Sequence, residues 1–190
     1  MKTSLGKKTL AAPTPVWAVG AYDVEGKPNA MIAAWGGIVS SDPASIGVSL
    51  RKARHTYAGI LEHRAFTVSV ANVEYAAQAD YLGIDSGKNV DKFAATGLTP
   101  VRSEVVDAPY IDEFPLIVEC SLTNVLDQGA HVQLVGEIMD VKVDEDKMEN
   151  GAPIPEAVQP LVYMPGAGSY YSLGQVVGKA FSMGLPYRKK

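Results

Sequence analysis

The feature of this sequence that most constrains its fold is a pair of long strand-like runs joined by a short turn. The runs cover residues 116–125 and 131–143, and Asp127-Gln128-Gly129 lies between them. A turn this short joins strands that are antiparallel neighbours. The length of both runs predicts the central pair of a closed or half-closed sheet.

Other strand-like runs recur along the chain, rich in Val, Ile, Trp, Tyr and Phe, at residues 14–22, 30–39, 45–51, 66–71 and 161–164. Short helices are predicted between the runs, at residues 58–64, 73–84, 89–96 and 155–158. At least six strands with short inserted helices predict a mainly β chain with a barrel-like antiparallel sheet. Repeated βαβ units are not indicated.

Length and composition fit one folded domain. The 190 residues are 47% hydrophobic and 20% charged, which suffices for a buried core without disulfides or metals. No linker divides the chain, so residues 1–190 are predicted to form a single domain. The last segment, about residues 165–190, carries apolar residues without clear periodicity. We expect it to pack on another subunit as an arm.

Charge and the single cysteine exclude several classes of protein. The net charge of −4 argues against nucleic-acid binding, which favours a basic surface. No apolar run approaches the roughly 20 residues of a membrane span, and Pro13 and Pro15 interrupt the first stretch where a secretory signal would lie. Cys120 stands alone, so an intrachain disulfide is excluded and a reducing, cytoplasmic setting is predicted. We expect Cys120 itself to be a small core residue.

Familiar catalytic and metal motifs are missing from the sequence. The three histidines are scattered; His55 and His63 are eight residues apart and could share a helix face, but no third ligand accompanies them. The segment GIDSGKN, residues 83–89, has the wrong spacing and context for a P-loop. Neither a dinucleotide-binding GxGxxG nor a GxSxG elbow is present. We predict no metal site and no catalytic side chain.

Cations and hydroxyls cluster at the end of the strand predicted over residues 45–51. The cluster contains Ser49, Arg51, Lys52, Arg54, His55 and Thr56. In one interpretation these residues bind a phosphate, through the Thr56 hydroxyl, the first N–H groups of the next helix and an arginine. In the other, they form a solvated strand end with Thr56 as an ordinary helix N-cap. Spacing alone does not separate the two.

Four more residues have both a binding and a structural interpretation. Trp35 lies beside Gly36-Gly37, which would let a flat ligand approach the backbone or would simply mark a bulge under a core tryptophan. Asn29 is either a polar contact for a ligand edge or a turn residue after Pro28. Lys92 is either a donor to an anionic ligand or a solvated helix lysine. His131 is either a donor to a ligand oxygen or a structural histidine.

Several motifs taken together resemble the flavin reductase-like family, the FMN-binding split barrels, and within it the flavoredoxins. In chain order they are P-N-A-M-x-A-A-W-G-G, V-S-L-R-K-x-R-H-T, F-T-V-S, D-Y-x-G-x-x-S-G-K, D-K-F and G-x-H. The resemblance covers residues 14–143 well and residues 170–184 moderately. It implies a six-stranded antiparallel split β-barrel, assembled as a homodimer with FMN near the subunit interface.

The resemblance also implies a set of cofactor contacts. Asn29 and Trp35 would contact the flavin ring, and Lys92 and His131 would complete the pocket, one or both from the partner subunit. Around the phosphate and ribityl chain it implies Ser49, Arg51, Arg54 and Thr56, and the same motifs add Ala33, Ala34, Leu50 and His55. Met164 stands where relatives often have an aromatic residue, and Asp42-Pro43-Ala44 replaces a double proline.

The implied chemistry belongs to the flavin, with protein residues supplying binding and charge. Lys92 or His131 would stabilise the anionic reduced flavin. Three functions share such a pocket: an NAD(P)H-dependent flavin reductase, a flavoredoxin-type carrier that takes electrons from another protein, and a flavin storage or sensing module. The acidic stretch at residues 140–149 would suit a basic redox partner and so favours the carrier.

Overall fold

The computed structural model describes residues 1–188 and consists mainly of short antiparallel strands. These are β1 (Thr14–Pro15), β2 (Trp17–Tyr22), β3 (Pro28–Ala33), β4 (Gly36–Ser41), β5 (Ala44–Leu50), β6 (Ala65–Val70), β7 (Pro100–Arg102), β8 (Pro109–Ile111), β9 (Leu116–Asp127), β10 (Val132–Val143), β11 (Met148–Glu149), β12 (Ala152–Pro153), β13 (Val162–Met164) and β14 (Ser169–Tyr171). The helices are α1 (His55–His63), α2 (Ala76–Ile84), α3 (Lys92–Thr96) and α4 (Pro155–Val158), with 3-10 turns at Glu145–Lys147 and Leu185–Tyr187.

The main sheet has seven strands in the order β3-β2-β6-β9-β10-β5-β4, and every pair is antiparallel. The predicted long hairpin is confirmed as β9 and β10, which lie at the centre. Their register shifts at Val135/Gly136 and again at Ile138/Asp140. Such bulges increase the local bend and twist of a sheet, which is how a long hairpin curves into a barrel wall.

The single strand predicted over residues 30–39 is two strands, which is why the main sheet has seven strands where the resemblance implied six. β3 pairs with β2, and Ala33 lies opposite Trp17. β4 pairs with β5, and Gly36 lies opposite Val48. The chain therefore changes neighbours between Ala33 and Gly36, and the ladder breaks at Ala34-Trp35.

Hydrophobic side chains form two clusters, one on each face of the sheet. The barrel interior contains Phe66, Leu134 and Leu50, and the second cluster packs Leu82 and Phe93 of α2 and α3 against the outside of the sheet. Along β2 the alternation of faces sends Val19 inward and Ala18 outward, as the period of a strand requires. Full burial of each large side chain stabilises the fold by roughly 1.5–3 kcal/mol.

Helix α1 differs from its predicted bounds in a way that bears on function. It begins at His55 rather than at residue 58, and its N-cap is Arg54, which makes no side-chain capping bond. Thr56 therefore lies inside the first turn, and the prediction of Thr56 as an N-cap was wrong. α2 also starts later than predicted, at Ala76, and it runs through Gly83 to Ile84.

Helix α3 begins and ends with standard caps. The Asp91 side chain accepts a hydrogen bond from the Ala94 N–H, and Gly97 closes the helix with a φ of 71°. These caps fix the position of Lys92 at the first residue of α3. Within residues 1–188, no helix combines the length and the apolar character needed to cross a membrane.

Candidate functional site

The candidate site lies where β3 and β5 line a common cavity of about 300 Å3. Eight of the predicted site residues line this cavity: Ala33, Ala34, Trp35, Ser49, Leu50, Arg51, Arg54 and His131. Met31 and Ile32 complete the wall. The motif P-N-A-M-x-A-A-W-G-G covers β3 and the residues after it, and the motif V-S-L-R-K-x-R-H-T begins in the last part of β5. The fold therefore brings both motifs to the same cavity.

Sheet register explains how His131 joins residues that are 80 positions away in sequence. β10 runs antiparallel to β5, with Val132 opposite Leu50 and Gln133 opposite Ser49. His131 immediately precedes this pairing and therefore lies beside the end of β5. On the other side, the Ser49 N–H donates to the Trp35 carbonyl at 2.8 Å, which fixes the backbone of Trp35 across the break between β3 and β4.

A larger cavity of about 630 Å3 adjoins the first and shares Ala34, Trp35, Ser49 and His131 with it. Sequence reasoning did not assign several of its other lining residues to the site: Thr9, Ala11, Thr14, Ile38, Val39, Gln128 and Gln133. Gln133 could have been found, because it is two residues from His131 and shares its face in the strand predicted over residues 131–143. The N-terminal residues gave no such signal. Both volumes lie in the range of small-molecule sites, roughly 300–1,000 Å3.

The two glycines after Trp35 have different roles. A Cβ on Gly36 would lie 2.4 Å from Cζ3 of Trp17, so Gly36 is needed for the packing of that core ring. A Cβ on Gly37 would meet nothing within 4 Å. The backbone of Gly37 therefore faces the larger cavity directly, and the interpretation as an approach surface for a flat ligand fits Gly37 but not Gly36.

The turn between β5 and α1 forms a positively charged corner of the site. Arg51 and Arg54 are exposed, and among residues 1–188 neither makes a salt bridge, whereas Lys52 is paired with Asp127. The backbone N–H groups of His55 and Thr56 have no hydrogen-bond partner in the described part of the chain. An uncapped helix N-terminus with two free arginines beside it is a favourable place for an anion.

Asn29, His55 and Thr56 form a second group next to this corner. The Asn29 Nδ2 donates to Thr56 Oγ1 at 2.7 Å, and both residues are buried. His55 Nε2 lies 3.3 Å from Asp23 Oδ2. Gly87 packs on both groups, since a Cβ there would be 2.0 Å from Asn29 Oδ1 and 3.1 Å from His55 Cδ2. The hydroxyl of Thr56 thus accepts a hydrogen bond from Asn29, and its predicted contact with the phosphate stays a prediction.

Lys92 is a buried residue, and its interpretation as a solvated helix lysine was wrong. Lys92 is 4% exposed, and its Nζ donates to the carbonyls of Leu82 at 2.7 Å and Ala30 at 3.0 Å. The Leu82 carbonyl belongs to the last turn of α2, where a cation is favourable. Burial, helped by the nearby charge of Arg54, lowers the pKa of Lys92 to about 8, while the charge of Asp85 opposes this shift. The influence of Arg54 shows that Lys92 lies near the charged corner.

Residues 9–173 match the family described as the flavin reductase like domain. The chain belongs to this family. The flavoredoxin of Desulfovibrio vulgaris (Miyazaki F) is 51% identical, with a TM-score of 0.93 over 97% of this chain and 100% of that chain. A flavoredoxin from Methanosarcina acetivorans is 28% identical, also with a TM-score of 0.93, over 99% of this chain and 100% of that chain. The predicted family, flavoredoxin subgroup and split-barrel fold are confirmed.

A third solved structure is more distant. The FMN-binding protein from Thermus thermophilus, with bound 1-cyclohex-2-enone, is 26% identical to this flavin reductase-like chain. Its TM-score is 0.79, over 94% of this chain and 99% of that chain. The same barrel is therefore kept at low sequence identity.

Met164 is one of the predicted site residues that do not line the two adjoining cavities of this flavin reductase-like site. It lies in β13, opposite Ser169 of β14, and it is half-buried. It lines neither of the two adjoining cavities. Asn29 and Lys92 also lie outside them and line a separate cavity of about 450 Å3 beside the loop that contains Gly87.

Proposed function

We propose that this flavin reductase-like chain is an FMN-binding flavoprotein oxidoreductase. The observation that carries the proposal is the pair of adjoining cavities that ends at the uncapped N-terminus of α1, beside Arg51 and Arg54. A flat apolar wall that leads to an anion-binding corner matches a ligand with an aromatic ring system and a terminal phosphate. Membership of the flavin reductase-like family supports the same ligand.

The residues present fit FMN by their chemistry. Arg51, Arg54 and the amides of His55 and Thr56 would bind the phosphate, since charged donors and helix amides are suited to that dianion. The backbone from Ala33 to Gly37 would lie along the flavin. His131 would donate to a flavin oxygen from the other wall of the cavity. FMN, when bound, supplies the hydride and electron transfer, and the chain orients it and sets its charge environment.

Spectroscopy of the purified protein tests this function. We expect flavin absorbance in the protein as isolated or after loading with FMN, and a phosphate contribution that makes FMN bind more tightly than riboflavin. The double variant Arg51→Ala, Arg54→Ala should lose roughly ten-fold or more in FMN affinity, with riboflavin affinity nearly unchanged. A colourless protein that cannot be loaded with FMN would refute the proposal.

For the electron donor, we propose NAD(P)H, which makes the chain a flavin reductase. The larger cavity supports this, because its wall continues past the stretch assigned to the flavin to Ile38, Val39 and Gln133, where a second planar ligand would have a surface to bind. Bleaching of the flavin absorbance by anaerobic NADH or NADPH is the expected result. If neither nucleotide reduces the flavin, the reductase assignment is wrong.

An electron carrier that accepts electrons from another protein is the second candidate. Asp144, Glu145 and Glu149 are exposed and make no salt bridge within the described residues, so this acidic surface suits a basic redox partner. A flavin that resists both nucleotides but is reduced by a basic redox protein at low salt would favour the carrier. The reaction should then slow as salt screens the charges.

We also propose that the chain acts as a homodimer in the cytoplasm. Ile38 and Val39 lie on the edge strand β4 and are 70% and 52% exposed. The C-terminal segment likewise exposes Val176, Val177 and Phe181. An apolar edge strand and an apolar arm are surfaces that a second copy would cover. Light scattering should give twice the chain mass, and a monomer that still binds FMN tightly would contradict the dimer.

A further inference from the structure

Asp23 is a buried carboxylate that the proposed function does not yet use. It lies in the turn between β2 and β3, and its side chain is 11% exposed. Oδ1 accepts the backbone N–H groups of Glu25 and Lys27, both at 2.9 Å. Oδ2 faces His55 Nε2 at 3.3 Å. Both oxygens of Asp23 are therefore partnered, and one of them holds the first residue of α1.

The charge state of Asp23 suits this contact. Burial acts to raise the pKa of Asp23, but the N–H groups of Lys27 and Glu25, together with His55, outweigh it and hold the pKa below its usual value. The carboxylate is thus ionised at neutral pH. An ionised acceptor beside Nε2 requires the proton to be on that ring nitrogen, which fixes both the orientation and the tautomer of His55.

Helix α1 rests directly on the turn that contains Asp23. A Cβ on Gly59 would be 1.9 Å from the carbonyl oxygen of Tyr22 and 3.2 Å from the Cα of Asp23, so no side chain fits between helix and turn. His63, two turns beyond His55, contacts the Asp23 carbonyl at 3.0 Å through Nε2. The two histidines thus share a helix face, and Asp23 contacts His55 through its carboxylate and His63 through its backbone carbonyl.

The N-terminus of α1 needs such support because no side chain caps it. A capping side chain would hold the first turn in place, but it would also occupy an amide that an anion needs. A contact made on the side of the helix, away from its N-terminal end, fixes the first turn and leaves the amides of His55 and Thr56 free. Asp23 makes that contact through the His55 ring.

We propose that Asp23 is a positioning residue for the flavin phosphate, holding the first turn of α1 rigid through His55 so that its amides are preorganised for the phosphate. This inference rests on the proposed function, because it assumes that the phosphate binds at Arg51, Arg54 and the helix start. Asp23 does not touch the phosphate. Its contribution is the ordering of the site before binding, which improves affinity without a new contact.

Asp23→Asn is the variant that tests the proposal, because the amide oxygen still accepts the two N–H groups of the turn while the charge facing His55 is lost. We expect FMN affinity to fall roughly five-fold and riboflavin affinity to stay unchanged. Amide hydrogen exchange of Arg54 and Tyr57, whose N–H groups donate to the carbonyls of Arg51 and Arg54, should be faster in the free variant than in the free wild type. A residue important only for overall folding would lower both affinities together.

A matched control is available on the same helix. Asp107 Oδ2 pairs with His63 Nδ1 at 2.7 Å, far from the start of α1. Asp107→Asn should leave the FMN-to-riboflavin ratio at the wild-type value. In a His55→Ala background, Asp23→Asn should cause no further loss, since the two residues act as one pair. If Asp23→Asn does not fold, His55→Ala alone should show the same change in ratio.

The proposal is overturned if Asp23→Asn leaves both the FMN-to-riboflavin ratio and the amide exchange of Arg54 and Tyr57 at wild-type values, or if Asp107→Asn lowers the ratio equally. Failure of the proposed function gives a different result. If the wild type binds riboflavin as tightly as FMN, the phosphate contributes nothing to binding and the proposed phosphate site is refuted. The exchange measurement needs no flavin, so slow exchange in the wild type that Asp23→Asn accelerates would still support the positioning of the helix by Asp23.

Discussion

Lys92 offers a sharp test of how the site is built, because its charge is buried between two carbonyls. Burial lowers its pKa in the folded protein to about 8, from 10.5 in the unfolded chain. Between these two values the unfolded chain binds the proton and the folded chain does not. Stability from this residue therefore rises with pH across that window, and below pH 8 the folded state carries the cost of a buried cation.

The size of the effect follows from the two pKa values. Between about pH 7 and about pH 9.5, proton linkage predicts a gain of about 2 kcal/mol in the free energy of unfolding from Lys92 alone. Lys92→Met removes the titrating group and keeps a side chain of similar length. The variant should lack this gain, whatever the loss of the hydrogen bonds to Leu82 and Ala30 does to its absolute stability.

Urea unfolding of the wild type and of Lys92→Met, at a series of pH values in this range, measures the difference directly. Other groups that titrate are common to both proteins, so their effects cancel in the comparison. Lys88→Met removes an exposed lysine four residues earlier and is the control for the loss of one positive charge. The reasoning is refuted if the pH slope of the Lys92→Met difference is no larger than that of the Lys88→Met difference.

Three further predictions concern stability and reactivity. Leu134→Ala empties a fully buried site in the barrel and should cost about 2–5 kcal/mol in urea unfolding; a cost below 1 kcal/mol would contradict the packing described. Gly87→Ala places a Cβ 2.0 Å from Asn29 Oδ1, so it should separate Asn29 from Thr56 and lower the melting temperature, whereas Gly174→Ala, with open space around it, should not. Burial and the charge of Glu119 raise the pKa of Cys120 to about 12, so a thiol reagent at about pH 8 should label the denatured chain and leave the folded protein unlabelled.

Some of the predicted site residues are held together by adjacency in sequence, and others reach the site only through the pairing of distant strands. Ser49 lies near the end of β5, and Arg51 and Arg54 follow that strand, so the turn after it keeps all three together at the charged corner. Trp35 and His131 reach the same cavity only because β5 pairs with β10 and the chain changes neighbours at Ala34-Trp35. No local pattern specifies either event, and the family resemblance supplied them instead.

Lys92 and Thr56 show what local patterns cannot decide. Both lie at helix starts, where a solvated lysine and a capping threonine are the usual roles. The fold instead places the carbonyls of Leu82 and Ala30 around the lysine and gives the threonine hydroxyl a partner in Asn29. A side chain's partners come from segments distant in sequence, so its environment is known only after those segments pack.

By itself the sequence determined the antiparallel hairpins, the short helices and the cluster of cations after β5, because turns, strand periodicity and adjacency are local properties of a chain. The tertiary structure alone decided that α1 begins without a cap, that Asp23 supports it from outside, and that a buried lysine lies beside the site. These features depend on which surfaces meet. Contacts between distant segments are set by the packing of the whole barrel, and no short stretch of sequence encodes that packing.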